Sequence, residues 1–232
     1  MSATKPGPRR AAPASTSKPA SETPTFPETG KSGPGRYLFF DCETTGLPLT
    51  RYFSPDDVSG WPHLVQLAWG VYDASGRAAR TRCHIVRPEG FRIPADATQI
   101  HGISHGRALA EGKGLAEVLD EFLEAVERPG ITVIAHNLDY DSRVIAAELV
   151  RLGRPLGLLE LPGVCTMKTT TDVCRLPRPG GGFGFKWPTL SELHGCLFGR
   201  AYEGAHDALR DLEACARCFF ELRRIGVYQD PS

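Results

Sequence analysis

A mixed α/β sheet with helices on both faces is the fold this sequence predicts, and three observations predict it. Three strand-like segments come first, the second and third joined by a tight turn, so that they meander antiparallel. Helix and strand patterns then alternate, which returns the later strands to the same sheet through crossovers. Two amphipathic helices close the chain and supply apolar faces to cover that sheet. Five strand segments can be counted, and no internal repeat is visible.

The first strand is the apolar run Leu38-Phe39-Phe40 leading into Asp41 and Glu43, with the turn former Gly46 just beyond. A run of that character suits a strand buried on both faces. A loop rich in turn formers follows over residues 48–62. The second strand covers residues 64–72, with Val65, Leu67, Trp69 and Val71 on one face. Residues 73–76 read as a hairpin turn into a third strand over about 79–86, closed by Pro88. Residues 93–105 read as a short helical turn and loop.

Leu115, Val118, Leu119, Phe122, Leu123 and Val126 keep the stripe of an amphipathic helix, ended by Pro129-Gly130. The β-branched run 131–135 is a buried strand. Asn137 stands where an N-cap would open a helix over 140–152. Residues 163–166 make a further short strand, and the Gly/Pro-rich residues 177–184 a flexible loop. The closing helices cover about 189–198 and 208–223.

Residues 1–35 are Pro, Ala, Ser, Thr and basic side chains with almost no large apolar residue. Such a segment cannot bury enough surface to offset its ordering entropy, so a disordered basic tail is expected there. The domain is expected over 36–224, with a short C-terminal tail at 225–232. The 232-residue chain has a formal net charge of zero, so the whole protein gives no basic signal for nucleic acid. A local basic groove stays open, and Arg175, Arg178 and Lys186 flank the Gly-rich loop. No apolar run approaches the roughly twenty residues of a membrane span, and the tail has no secretory apolar core. The seven scattered cysteines read as reduced thiols, and a cytoplasmic location is expected. Cys215 and Cys218 are spaced as CxxC, but inside a helix with no second pair, which reads as buried thiols rather than zinc ligands.

Asp41 and Glu43 carry the first chemical signal. Side chains alternate along a strand, so the two carboxylates share a face one pleat apart. Held that close they repel, and a hard divalent cation is the usual answer. Asp141 lies in the first turn of its helix, where the helix dipole alone favours a carboxylate. Asp211 borders the apolar stripe of the last helix, where a charge needs a partner. His206 lies on another angular face and reaches the same place only from the turn that leads into the helix. Ligands in open α/β sheets collect at strand ends. Carboxylates converging there would hold two hard cations, with the histidine left as proton acceptor.

These residues resemble the motifs of the DnaQ-like, DEDDh class of 3′→5′ exonucleases, the class of the proofreading epsilon subunit of bacterial DNA polymerase III. The class motif D-x-E-T-T-G-L matches residues 41–47, H-N-x-x-[FY]-D matches 136–141, and H-D-A-x-x-D matches 206–211. An I-H-G-I segment of the class matches 100–103. The resemblance covers the chain from about Arg36 to the end of the last helix. It implies a ribonuclease-H-like five-stranded sheet.

It further implies that Asp41, Glu43, Asp141 and Asp211 bind two divalent cations, Mg²⁺ or Mn²⁺, with His206 as general base. Asp139 and Asp207 are expected not to bind metal. Thr44, Leu47, His101 and Asn137 are the implied substrate contacts: Thr44 through its backbone N–H to the terminal 3′-hydroxyl, Leu47 against the last nucleoside. The implied substrates are single-stranded 3′ ends, the products nucleoside 5′-monophosphates, and a DNA polymerase is an implied partner. Related oligoribonucleases usually carry Met after the motif Glu, where this chain has Thr44, which argues for DNA. An RNA-trimming enzyme of the same superfamily and a non-catalytic nucleic-acid-binding module are the rival readings.

Overall fold

Strand β1 (Arg36–Thr44) owes its central place to side chains that are apolar on both faces: Leu38, Phe39 and Phe40 are all fully buried. On one side it pairs antiparallel with β2 (Leu64–Tyr72), which pairs antiparallel with β3 (Ala78–Ile85). On the other side it pairs parallel with β4 (Ile131–Ala135), and β4 pairs parallel with β5 (Gly163–Cys165). The sheet order is therefore β3-β2-β1-β4-β5. The computed structural model describes Met1, residues 36–50 and residues 52–228. The expected N-terminal tail lies outside the described residues apart from Met1, as do the last four residues of the chain.

Eight α-helices and a 3-10 helix (Gly157–Glu160) accompany the sheet among the described residues: α1 (Ala95–His101), α2 (His105–Glu111), α3 (Leu115–Val126), α4 (Leu138–Arg151), α5 (Thr166–Thr169), α6 (Thr171–Cys174), α7 (Leu190–Phe198) and α8 (Ala208–Arg224). Alternation along β1 decides which helix meets which side chain. Phe39 meets Phe219 of α8 with ring centroids 5.4 Å apart, and Tyr37 meets the same ring at 5.0 Å. Phe40, on the opposite face, meets Phe122 of α3 at 5.3 Å. So α8 covers the face of Tyr37 and Phe39, and α3 and α4 cover the other. Asp41 and Glu43 continue the Phe39 side and therefore look toward α8.

The expected elements are present, with differences in the connections. Residues 93–105 hold more helix than a turn, because Ser104 caps a second helix by accepting from the Arg107 N–H at 3.1 Å. Val65 of β2, Ile93, Ala97, Ile103 and Ala108 form a small second core that seats α1 and α2 on the sheet. Asn137 stands at the N-cap of α4, but in the left-handed region (φ 85°) and with no side-chain capping bond. The expected capping role is thus corrected: the turn off β4 is too tight for the extended backbone a capping side chain requires.

Thr189 and Glu192 form a reciprocal capping box on α7. Cys215 and Cys218 lie buried in the apolar stripe of α8. At the start of the expected C-terminal tail, Tyr228 stacks on Phe219 at 5.0 Å and its hydroxyl meets that of Thr169. No helix among the described residues is long and apolar enough to cross a membrane.

Candidate active site

The site forms where the pairing of β1 with β4 ends. Parallel pairing of these strands runs from Arg36↔Ile131 to Phe39↔Ile134. Beyond Phe39 the amides of β1 that face β4 need another acceptor. Asp141, in the first turn of α4 and only 3 % exposed, supplies one: its Oδ1 accepts from the Cys42 N–H at 3.2 Å. One carboxylate from the β4–α4 junction is thereby fixed against the strand that carries Asp41 and Glu43.

The third element arrives from β2. Gln66 interrupts an otherwise apolar strand, lies opposite Glu43, and is buried. Its Oε1 accepts from the Ala208 N–H at 3.2 Å, which holds the start of α8 against the sheet. Asp207 caps α8 by accepting from the N–H groups of Leu209 and Arg210 at 3.1 and 3.2 Å. Asp211 follows one turn later. Its Oδ1 accepts from the Tyr202 hydroxyl at 2.6 Å and its Oδ2 from the His206 N–H at 3.1 Å. Reaching Asp211 puts His206 at φ 69°. Asn137 and His206, two of the three non-glycine residues at positive φ among the described residues, thus flank the carboxylates. Such strain recurs where function fixes the backbone.

One ligand atom each from Glu43, His206 and Asp211 lies within 4.8 Å of the other two. Asp41 is close enough to feel the rest: burial first, then Asp141, Asp211 and Glu43, push its carboxyl well above the usual range. Burial, then Asp211 and Asp207, push Glu43 up to about 8. Burial raises Asp141 despite the Cys42 N–H, and raises Asp211 despite the Tyr202 and His206 bonds. Four carboxylates on three elements therefore share a pocket without enough positive charge. An all-oxygen acidic set with a histidine at its edge fits a hard divalent cation. Asp139 is instead ion-paired with Lys168, and Asp207 is engaged as a cap.

The expected substrate contacts lie around this cluster. The Thr44 hydroxyl meets the Gly46 carbonyl and the Tyr140 hydroxyl, each at 2.8 Å, and Tyr140 also donates to the Gly46 carbonyl at 3.0 Å. Gly46 has φ 148°, open only to glycine, so its carbonyl can turn back to meet both hydroxyls. Leu47 follows with 84 % of its surface exposed.

The segment after Leu47 is anchored from α4. Arg151 donates to the carbonyls of Val58, Trp61 and Pro62, and buried Glu148 accepts from the Leu64 N–H at 2.8 Å. His101 ends α1 buried, with Nδ1 accepting from the Ile103 N–H at 3.1 Å and Nε2 also buried. Burial lowers its pKa, the Thr44 carbonyl pulls the other way, and nearby His206 lowers it further.

Sequence reasoning did not assign roles to Tyr202, Gln66, Tyr140 or His136. His136 follows β4, and its Nε2 lies 3.0 Å from the Pro188 carbonyl and its Nδ1 3.0 Å from the Thr166 hydroxyl. Burial lowers its pKa to about 4, so the ring is neutral near neutral pH. A carbonyl only accepts, so Nε2 carries the proton and Nδ1 accepts from Thr166.

No protein-family model matches the chain, and no curated protein matches it. Its likeness is to solved structures. The zinc-bound form of an E. coli exonuclease I–single-stranded DNA complex is 19 % identical with a TM-score of 0.65, over 84 % of this chain and 41 % of that one. E. coli exonuclease I in complex with a dA16 oligonucleotide is 18 % identical at 0.65, over 82 % and 41 %. A product-bound exonuclease I is 17 % identical at 0.64, over 83 % and 44 %. The fold is ribonuclease-H-like. The chain spans roughly two fifths of the length of these exonucleases, 41 % to 44 %. At these identities the likeness shows the ribonuclease-H-like fold alone.

Proposed function

We propose that this chain is a metal-dependent 3′→5′ exonuclease that hydrolyses single-stranded nucleic acid from the 3′ end, DNA in preference to RNA. The observation that carries the reading is the gathering of Asp41, Glu43, Asp141 and Asp211 where the β1–β4 pairing ends, with His206 beside Glu43 and Asp211. Solved structures of the same fold are described as exonuclease I bound to single-stranded oligonucleotides, which supports the substrate class. Neither the fold nor those structures support the polymerase partner that the motifs suggested, and the proposal does not include one.

Two divalent cations, Mg²⁺ or Mn²⁺, held by the four carboxylates would neutralise the phosphodiester and make a bound water more acidic. His206 takes the proton of the attacking water. Tyr202 and the His206 N–H hold Asp211 in one orientation. The Thr44 N–H donates to the terminal 3′-hydroxyl oxygen, and Leu47 packs on the last nucleoside. Asn137 and His101 are the further proposed contacts of the same nucleotide. Water attacks the last phosphorus, its bond to the 3′-oxygen of the preceding nucleotide breaks, and a nucleoside 5′-monophosphate leaves.

The test is incubation of 5′-labelled single-stranded DNA and RNA with Mg²⁺, Mn²⁺ or EDTA. Stepwise shortening from the 3′ end with either metal, faster on DNA, and none in EDTA is the expected result. Faster loss of RNA would favour the RNA-trimming reading, and cleavage of neither strand under any metal would leave a binding module.

A further inference from the structure

We propose that Trp187 is a stacking platform for a base of the bound strand upstream of its 3′-terminal nucleotide. The inference rests on the single-strand reading above, and extends it to a second contact. The protein has three tryptophans. Trp61 and Trp69 are 5 % and 2 % exposed, whereas Trp187 is 58 % exposed. Exposure alone assigns it no role; its setting does.

The backbone beneath it is fixed from both sides. The Lys186 N–H donates to the Leu176 carbonyl at 2.9 Å, and the Lys186 ammonium reaches both oxygens of Glu192, at 2.5 and 2.7 Å. The Pro188 carbonyl is held by His136 at 3.0 Å, at the end of the strand that leads to Asp141. Thr189 then opens α7 with a capping box. The ring is thus presented by a pre-organised segment, which lowers the entropic cost of using it as a contact.

Its neighbours place it beside the mouth of the site. The Lys168 ammonium lies 6.0 Å from the ring centroid. Lys168 is also paired with Asp139, two residues before Asp141 in the first turn of α4. One face of the indole therefore carries a cation, and the exposed surface is left for a planar partner. A base is such a partner: stacking on an aromatic ring tolerates any sequence, and a cation beside it suits the adjoining phosphate. Thr44 and Leu47 are the proposed contacts of the terminal nucleotide, and Trp187 is tied instead to the β4–α4 junction, through Lys168 to Asp139 and through Pro188 to His136. On this proposal a strand longer than the terminal unit gains the contact and the terminal unit alone does not.

The experiment compares the protein with Trp187→Ala, Trp187→Phe and the surface control Leu109→Ala. Binding of a fluorescent single-stranded dodecamer is read by anisotropy in EDTA, and KM for a dodecamer and a dinucleotide is read with Mg²⁺. Trp187→Ala is expected to weaken dodecamer binding about tenfold or more. It should also shrink the KM advantage of the dodecamer over the dinucleotide by a similar factor. Trp187→Phe should keep most of both, and Leu109→Ala should match the unaltered protein. Dodecamer binding by Trp187→Ala within about twofold of the unaltered protein overturns the platform, as does an equal loss on both substrates. If the unaltered protein binds the dodecamer without cleaving it, hydrolysis fails as a reading while anisotropy still judges Trp187. If it binds no single strand, the platform falls as well.

Discussion

The Tyr202 hydroxyl donates to Oδ1 of Asp211 at 2.6 Å, from a loop outside every helix and strand. Burial and the neighbouring carboxylate push the phenol's pKa up, so it stays a donor. A hydrogen bond to a ligating carboxylate orients it, and losing such a partner typically costs about 10–100-fold in metal affinity or activity. Tyr202→Phe is expected to fall in that range with its ring packing kept. Titration with Mn²⁺ alongside the nuclease assay checks this, and values within about twofold of the unaltered protein would remove the bond from the site's function.

Asp41 sits among carboxylates that raise one another. Asp41→Ala is expected to lower cleavage by about 10³-fold or more, the several kcal/mol of charge stabilisation that the cations would supply. The metal-free variant should melt no lower than the unaltered protein, because one repelling charge has gone. Thermal melting in EDTA beside the rate measurement separates these effects. Retained activity would remove Asp41 from the metal site.

His206 stands within ligand distance of Glu43 and Asp211, so two roles compete for it. As a base, His206→Ala lowers kcat about 10²–10⁴-fold and leaves Mn²⁺ affinity nearly unchanged. As a ligand it would lower affinity first. The base role is the expected outcome, and a kcat recovered in full at saturating metal would contradict it.

The His136 ring is neutral in the folded protein because burial lowers its pKa from the usual 6.5 to about 4. The unfolded chain binds that proton more readily. The contribution is therefore fully present above about pH 6.5 and is lost as pH falls toward about 4. The loss is on the order of 3 kcal/mol. His136→Gln should be less stable near neutral pH, since two hydrogen bonds change, but its stability should fall less steeply across that window. Urea unfolding of both proteins at several pH values measures the difference, and parallel curves would refute the assignment.

Much of this site was legible before the fold was known, and the reason is local geometry. The period of a strand alone puts Asp41 and Glu43 on one face. That Asp141, His206 and Asp211 join them was implied by the motif resemblance and by the rule that ligands collect at strand ends, not by element order. His206 was harder, because an ideal helix turns it away from Asp211. Only the left-handed backbone at His206 brings them together. Tyr202 was illegible, since a loop residue has no period and its partner is set by tertiary packing. The helices α2, α5 and α6 were missed for a related reason: at four to seven residues they are too short to carry a periodic signal, and only α2 has a side-chain cap. Gln66 did leave a signal, one polar residue in an apolar strand, but nothing in the sequence named Ala208 as its partner.

The central claim is that carboxylates from β1, α4 and α8 make one cation site. Mn²⁺ binding followed by electron paramagnetic resonance near neutral pH, on the unaltered protein and on Asp41→Asn, tests it most directly. Saturable binding by the unaltered protein and its loss in the variant is the expected result. No binding by the unaltered protein, or equal binding by both, would contradict it.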